Sequence, residues 1–248
     1  MITTSLAASE QVKEQVEKKA AQSLLHWSYE GSHGPENWGT LSPRFKLCDT
    51  GMNQSPIDLK NIVEADLPPI TFKYTMLSPS DIVNNGHSVQ VNLWSGGEIL
   101  LDNEKFVLKQ FHFHTPSENT IKGRQFPLAM HLVHLSKKNA IAVVTVMFEI
   151  GEDDALLADI WKDIPLKEGE SHKLAAKVLH NLEFETELKD YYRFNGSLTT
   201  PPCSEGVRWI VMKGTRHVSK MQLSMFLKAL KHTDNRPVQP LHARMVFE

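Results

Sequence analysis

Cysteine is nearly absent from this chain of 248 residues, which has only Cys48 and Cys203. Their long separation excludes a CxxC-type metal or redox motif. Spacing alone leaves two readings open: a pair of buried free thiols, or one long-range disulfide formed in an oxidising compartment. No stretch comes near the roughly 18 apolar residues that a membrane-spanning helix requires, which excludes such a span. Charge of one sign is lacking as well, since 27 Lys and Arg stand interspersed among 29 Asp and Glu for a net charge of −2. There is therefore no basic stripe for nucleic acid and no basic block beside an apolar segment for a lipid surface. The opening MITTSLAASEQ has neither a charged n-region nor an apolar h-region, so it is not an intact secretory signal; the small residues of SLAAS read as the tail of one. Internal repeats and low-complexity linkers are missing too. What remains, 41% hydrophobic and 23% charged, is an ordinary soluble globular composition. Its size suits a single β-rich domain, and its expected partner is a small molecule.

Most of what is present reads as strand. ITFKYTM, SVQVNLW, KFVLKQFHFH, LAMHLVHL and AIAVVTVMF are rich in β-branched and aromatic residues and are separated by turn signals such as Asn85-Gly86. Helical signals are few and peripheral. Val12, Val16, Ala20 and Leu24 recur every four residues, predicting a helix over 6–25 within an N-terminal extension over 1–25, ahead of a domain over 26–248. Asp153 and Asp154 can cap ALLADIW, and Ser219 with Gln222 three residues on forms a capping box for a helix bearing Leu223, Phe226, Leu227 and Leu230. Near the end, YYRFNGSLTTPPCSEGVRWIVM places a stiff Thr-Thr-Pro-Pro loop before a strand expected to stop near Met212.

The chemistry concentrates in QFHFHTPSEN. Side chains at i and i+2 of a strand share a face, so His112 and His114 aim one way while Phe111 and Phe113 aim the other. Two hydrogen-bonded core histidines would satisfy that pattern, so a metal site needs a third ligand. LAMHLVHL should run antiparallel to this strand and offers His131 and His134. These lie an odd number apart and face opposite ways, so one joins the pair and the other is a hydrogen-bonded core histidine. Three neutral imidazoles on rigid strands without a fourth protein ligand match a catalytic zinc site, which keeps a position open.

From HWSYEGSHGPENWG through NQSPIDL, NNGHSVQV, QFHFHTPSEN, MHLVH and NGSLTTPPCSEGVRWIVM to NRPVQPLHARMV, the chain resembles the α-class carbonic anhydrases, particularly the bacterial ones. The resemblance covers nearly everything after the N-terminal extension. It implies a mainly β (α+β) single domain, a central, mostly antiparallel twisted sheet of about ten strands with short peripheral helices. The implied cofactor is Zn2+ on His112, His114 and His131, and the implied reaction is carbon dioxide hydration by hydroxide generated on the metal, with esterase activity on the side. Thr199 would orient that hydroxide, backed by Glu118. Val133, Val143, Leu198 and Trp209 would form the substrate wall, with Thr200 beside them. His87 would shuttle protons, with Tyr29, Asn85 and Gln90 holding the water chain, and Gln110 would hold one of the ligand histidines.

Cys48 and Cys203 coincide with the pair that is bridged in secreted family members, which implies a disulfide and a periplasmic or secreted enzyme. Sulfonamides and small anions would inhibit at the zinc. Several bacterial relatives are dimers, so a homodimer is an open expectation with no surface assigned. The sequence departs from the family pattern in places. Gln90 stands where Asn is common, and Asn119 where a histidine is frequent. Ala129 occupies the position, two before the third ligand, where a carboxylate usually accepts that histidine's free N–H; without a water or another group in its place, zinc is expected to be held about ten-fold or more weakly. Two competing readings are a catalytically silent binding module of the same fold, which predicts a damaged site, and a zinc-storage protein, which predicts extra ligands in exposed loops. Neither pattern is present.

Overall fold

The computed structural model describes residues 26–74, 77–175, 182, 187–188 and 190–248. The helix expected over residues 6–25 lies outside them. Thirteen strands among the described residues form one large mixed sheet, ten along a continuous path and three short ones to its side, with a separate two-stranded pairing of Asp58–Leu59 and Thr120–Ile121. At the centre, Val89–Ser95, Glu104–His114, Leu128–Ser136 and Ile141–Ile150 run antiparallel in succession. Ile141–Ile150 then pairs in parallel with Glu205–Val218, which is antiparallel to Tyr191–Ser197.

The two faces of this sheet carry different cores. Phe111, Phe113, Met130, Leu132, Val144 and Ile210 pack on one face beneath the helix Lys220–Leu230. Ala129, Val143, Met147, Val207, Trp209 and Val211 pack on the other. A register shift between Leu108 and Gln110 decides which face the histidines reach. The extra residue of such a bulge lets Phe106 and Leu108 share a face with Phe111 and Phe113. His112 and His114 are left on the opposite, concave side.

Both predicted caps form. Asp154 accepts the Leu157 N–H at 2.9 Å to begin Ala155–Ile160, and the Ser219–Gln222 capping box begins Lys220–Leu230. Two strands differ from expectation. Glu205–Val218 runs past Met212 because Thr215 to Val218 pair in parallel with Met147 to Ile150. Ser78–Asn84, with Pro79 and Asp81 breaking its hydrophobic alternation, is a strand because Val89–Ser95 pairs with it through two irregularities.

Candidate metal centre

His112 stands directly opposite His131 in the antiparallel ladder, and His114 opposite Ala129. The rings of His112, His114 and His131 are 4.7 to 5.4 Å apart between centroids, and one nitrogen from each lies within 4.8 Å of the others. His134, on the opposite face, is wholly buried; its Nδ1–H donates to the Leu132 carbonyl at 2.9 Å, and its Nε2 accepts the Tyr74 hydroxyl at 2.5 Å. Burial pushes its pKa down to about 4. The parity argument is borne out, and His134 is a hydrogen-bonded core residue.

Two of the three histidines are oriented from behind. His112 Nδ1–H donates to Gln110 Oε1 at 2.8 Å, and His114 Nδ1–H donates to the Asp234 carbonyl at 2.6 Å. These bonds fix the tautomer that leaves the Nε2 lone pairs free. His114 Nε2 is buried without a hydrogen-bond partner, as an imidazole held ready for a metal would be. His131 Nδ1 and His114 Nε2 both approach Glu118 Oε2, at 3.8 and 3.4 Å. It is therefore Nδ1 of His131 that faces the cluster. Its Nε2 turns away, buried and unpartnered, and Ala129 offers it nothing.

Burial, reinforced by the neighbouring imidazoles, holds His112 and His131 well below the ordinary histidine pKa and so in the neutral form that binds metal. Burial acts the same way on His114, but Glu118 and Asp234 outweigh it and raise that group. Burial raises Glu118, against the opposing pull of His114, the Arg236 N–H and hydrogen bonding from Thr199. It also lifts Asp234 to about 7.

These histidines sit at the floor of a cavity of about 280 Å³. Val133, Val143, Leu198 and Trp209 line it, with Thr199 and Thr200, and so do Tyr29, Asn85, His87, Gln90 and Gln110. Every cavity-lining residue expected from the sequence is thus brought together, with Glu118 buried behind the imidazoles. His87 stacks face to face on Trp27 at 3.6 Å, and burial, followed by the nearby His26, lowers its pKa to about 4. Cys48 and Cys203 form a disulfide.

Sequence reasoning missed Trp27, Asp234 and Arg236. Asp234 supplies the carbonyl for His114, and its Oδ1 accepts the Thr115 N–H at 2.7 Å. Arg236 gives its backbone N–H to Glu118 Oε1 at 3.0 Å, and its guanidinium donates to Gln54 Oε1 and to the Ser55 and Cys48 carbonyls. Both residues flank the Asn235 that opens NRPVQP, a segment that pattern reading links to nothing until the fold brings it under the cluster.

A trio of histidines able to hold a metal, on one face of a mostly antiparallel sheet and lining a mostly apolar cavity, defines a class of metalloenzyme site. The chain belongs to the α-class carbonic anhydrase family, an enzyme family: the model of the eukaryotic-type carbonic anhydrase matches residues 33–248. It is 44% identical over 228 residues to the carbonic anhydrase of Pectobacterium atrosepticum, covering 92% of this chain and 93% of that one. It is 46% identical over 230 residues to that of Neisseria gonorrhoeae, covering 90% and 88%. A solved α-carbonic anhydrase from Thermovibrio ammonificans, in complex with sulfanilamide, superposes with a TM-score of 0.84 at 43% identity over 90% of this chain and 99% of that chain.

Proposed function

We propose that this chain catalyses the reversible hydration of carbon dioxide to bicarbonate and a proton, with Zn2+ on His112, His114 and His131. The observation that carries this reading is the convergence of three imidazoles, two buried and one half-buried, on a cavity with one apolar wall. An all-nitrogen, neutral donor set with room for a non-protein ligand suits zinc. Bound there, zinc supplies Lewis acidity that brings the pKa of a water to about 7, a figure known for carbonic anhydrase itself and not deduced from this chain.

The protein's own groups then set direction. Ionised, Glu118 can only accept hydrogen bonds, so the Thr199 hydroxyl commits its proton to that carboxylate. Thr199 therefore presents lone pairs to the cavity, accepts a hydrogen bond from the attacking oxygen's O–H and so turns that oxygen's own lone pair toward the substrate carbon. Val133, Val143, Leu198 and Trp209 form a dry wall for an apolar substrate, with Thr200 beside them. The proton leaves past Tyr29, Asn85 and Gln90 to His87. Stacked on Trp27, with a pKa of about 4, His87 is a poor acceptor near neutrality. Once swung off the indole and hydrated, it regains a value near 6.5 and accepts readily.

Hydrolysis of activated esters is proposed as a side reaction of the same groups. Sulfonamides, of which the Thermovibrio relative binds one, and small anions are proposed as inhibitors at the metal. The Cys48–Cys203 bridge supports a periplasmic or extracellular setting.

The test is stopped-flow carbon dioxide hydration on protein whose zinc content is measured in the same sample. Activity proportional to zinc and abolished by a sulfonamide is expected. Full zinc occupancy without hydration would sink the reading.

A further inference from the structure

We propose that Thr145 is a positioning residue for His131, its hydroxyl serving as the acceptor for the outward-facing Nε2–H in place of a carboxylate at position 129. The inference rests on the reading that His131 holds a metal through Nδ1. Three observations meet at this point. His131 Nε2 is buried with no partner, Thr145 Oγ1 is buried with no partner, and Thr145 is the residue directly opposite His131 in the antiparallel ladder. Residues so paired point to the same face of the sheet, with Cβ atoms about 4.5–5.5 Å apart. That distance is closed by a turn of the threonine side chain or by one bridging water, and both routes involve the same two residues.

Glu118 Oε2, a buried acceptor without a partner, stands 3.8 Å from the Nδ1 edge of the ring and not at its Nε2 edge. Ala129 and Met147 form the next cross-strand pair on this face, and the Trp209 ring packs edge-on against His131 at 5.1 Å. Among the described residues, Tyr29 carries the only other buried hydroxyl without a partner, and it lines the cavity that the opposite edge of the His131 ring faces. A hydroxyl in an otherwise apolar strand position costs stability unless it is hydrogen-bonded. The Ile141–Ile150 strand nevertheless places Thr145 between Val144 and Val146, where valine would fit the same backbone. A hydroxyl is a neutral acceptor: it fixes the ring orientation and the tautomer but lends the ring less basicity than a carboxylate. Ala129 thus leaves His131 with an uncharged support, supplied from the neighbouring strand.

Thr145→Val keeps shape and β-branching and removes the hydroxyl, and Thr145→Ser keeps the hydroxyl. Zinc loss to a chelator is timed for both and for the parent, alongside thermal unfolding of the metal-free proteins. The Nε2–H resonance of His131 is also recorded in all three by ¹⁵N-histidine NMR. Expected are zinc loss about ten-fold or more faster in Thr145→Val, near-parental retention in Thr145→Ser, and a metal-free Thr145→Val that unfolds no lower than the parent. The Nε2–H signal should shift in Thr145→Val alone. Equal zinc retention with an unmoved Nε2–H signal in Thr145→Val would overturn the proposal. A parent chain that binds no zinc would defeat the metal reading, and the Nε2–H signal of the metal-free proteins would still decide the role of Thr145.

Discussion

The backbone N–H of Cys203 donates to the carbonyl of Thr200 at 2.8 Å, so the disulfide to Cys48 and the wall of the cavity share one turn. The Leu198 N–H closes the same loop on the Ser204 carbonyl at 2.9 Å. A bridge spanning 155 residues also restricts the unfolded chain strongly. Replacing both cysteines by serine should cost about 2–4 kcal/mol in urea unfolding, and turnover should drop as the Thr199 segment loosens. An unchanged midpoint would show the bridge to be dispensable.

Thr199 is expected to act on the reaction and leave metal binding alone. Thr199→Val should lower kcat/KM roughly 10²-fold, the scale for losing one oriented hydrogen-bonding group in a dry site, with zinc content unchanged. Loss of zinc in that variant would instead make Thr199 a support of the metal.

His87 should reveal itself through buffer dependence. His87→Ala is expected to reduce turnover in dilute buffer on the order of ten- to a hundred-fold, toward the low end of what a positioned proton acceptor contributes. Added imidazole should restore it. In the resting protein, NMR titration should place the His87 midpoint near 4, and Trp27→Ala should move it upward by removing the stacked indole.

Acid should weaken the pairing of Asp58–Leu59 with Thr120–Ile121 by a predictable route. Burial alone would raise the Asp58 pKa, but hydrogen bonds from the Gly123 N–H, the Thr120 hydroxyl and Lys60 bring it below its ordinary 3.8. A carboxylate whose folded pKa is depressed contributes its full stabilisation above the unfolded value, and loses it as pH falls through the folded one. Asp58→Asn should therefore destabilise the protein at pH 7, with the gap to the parent narrowing below about pH 4. A gap independent of pH in chemical denaturation would rule this account out.

How far the site could be read from sequence depended on how local each relationship is. The shared face of His112 and His114 and the opposed faces of His131 and His134 follow from strand periodicity over three residues. The Asp154 cap and the Ser219–Gln222 capping box are equally local, and both form. The Leu108–Gln110 bulge carries no composition signal, because an inserted residue is visible only against a partner strand. Ser78–Asn84 was missed for the related reason that pairing, not propensity, makes it a strand. Asp234 and Arg236 were invisible as supports, since the contact from Asp234 to His114 crosses 120 residues and the one from Arg236 to Glu118 crosses 118. Their side chains carry no pattern that names a distant imidazole.

Those two long contacts also impose an order in time. During synthesis all three histidines leave the ribosome well before Asp234 and Arg236 are made, so a nascent chain owns its ligands before it owns what aims them. A metal ion arriving at that stage meets His114 without its carbonyl acceptor and Glu118 without its backbone donor. On the proposed reading, full grip on the ion belongs to the finished polypeptide, and maturation of the centre waits for the segment around residues 234–236.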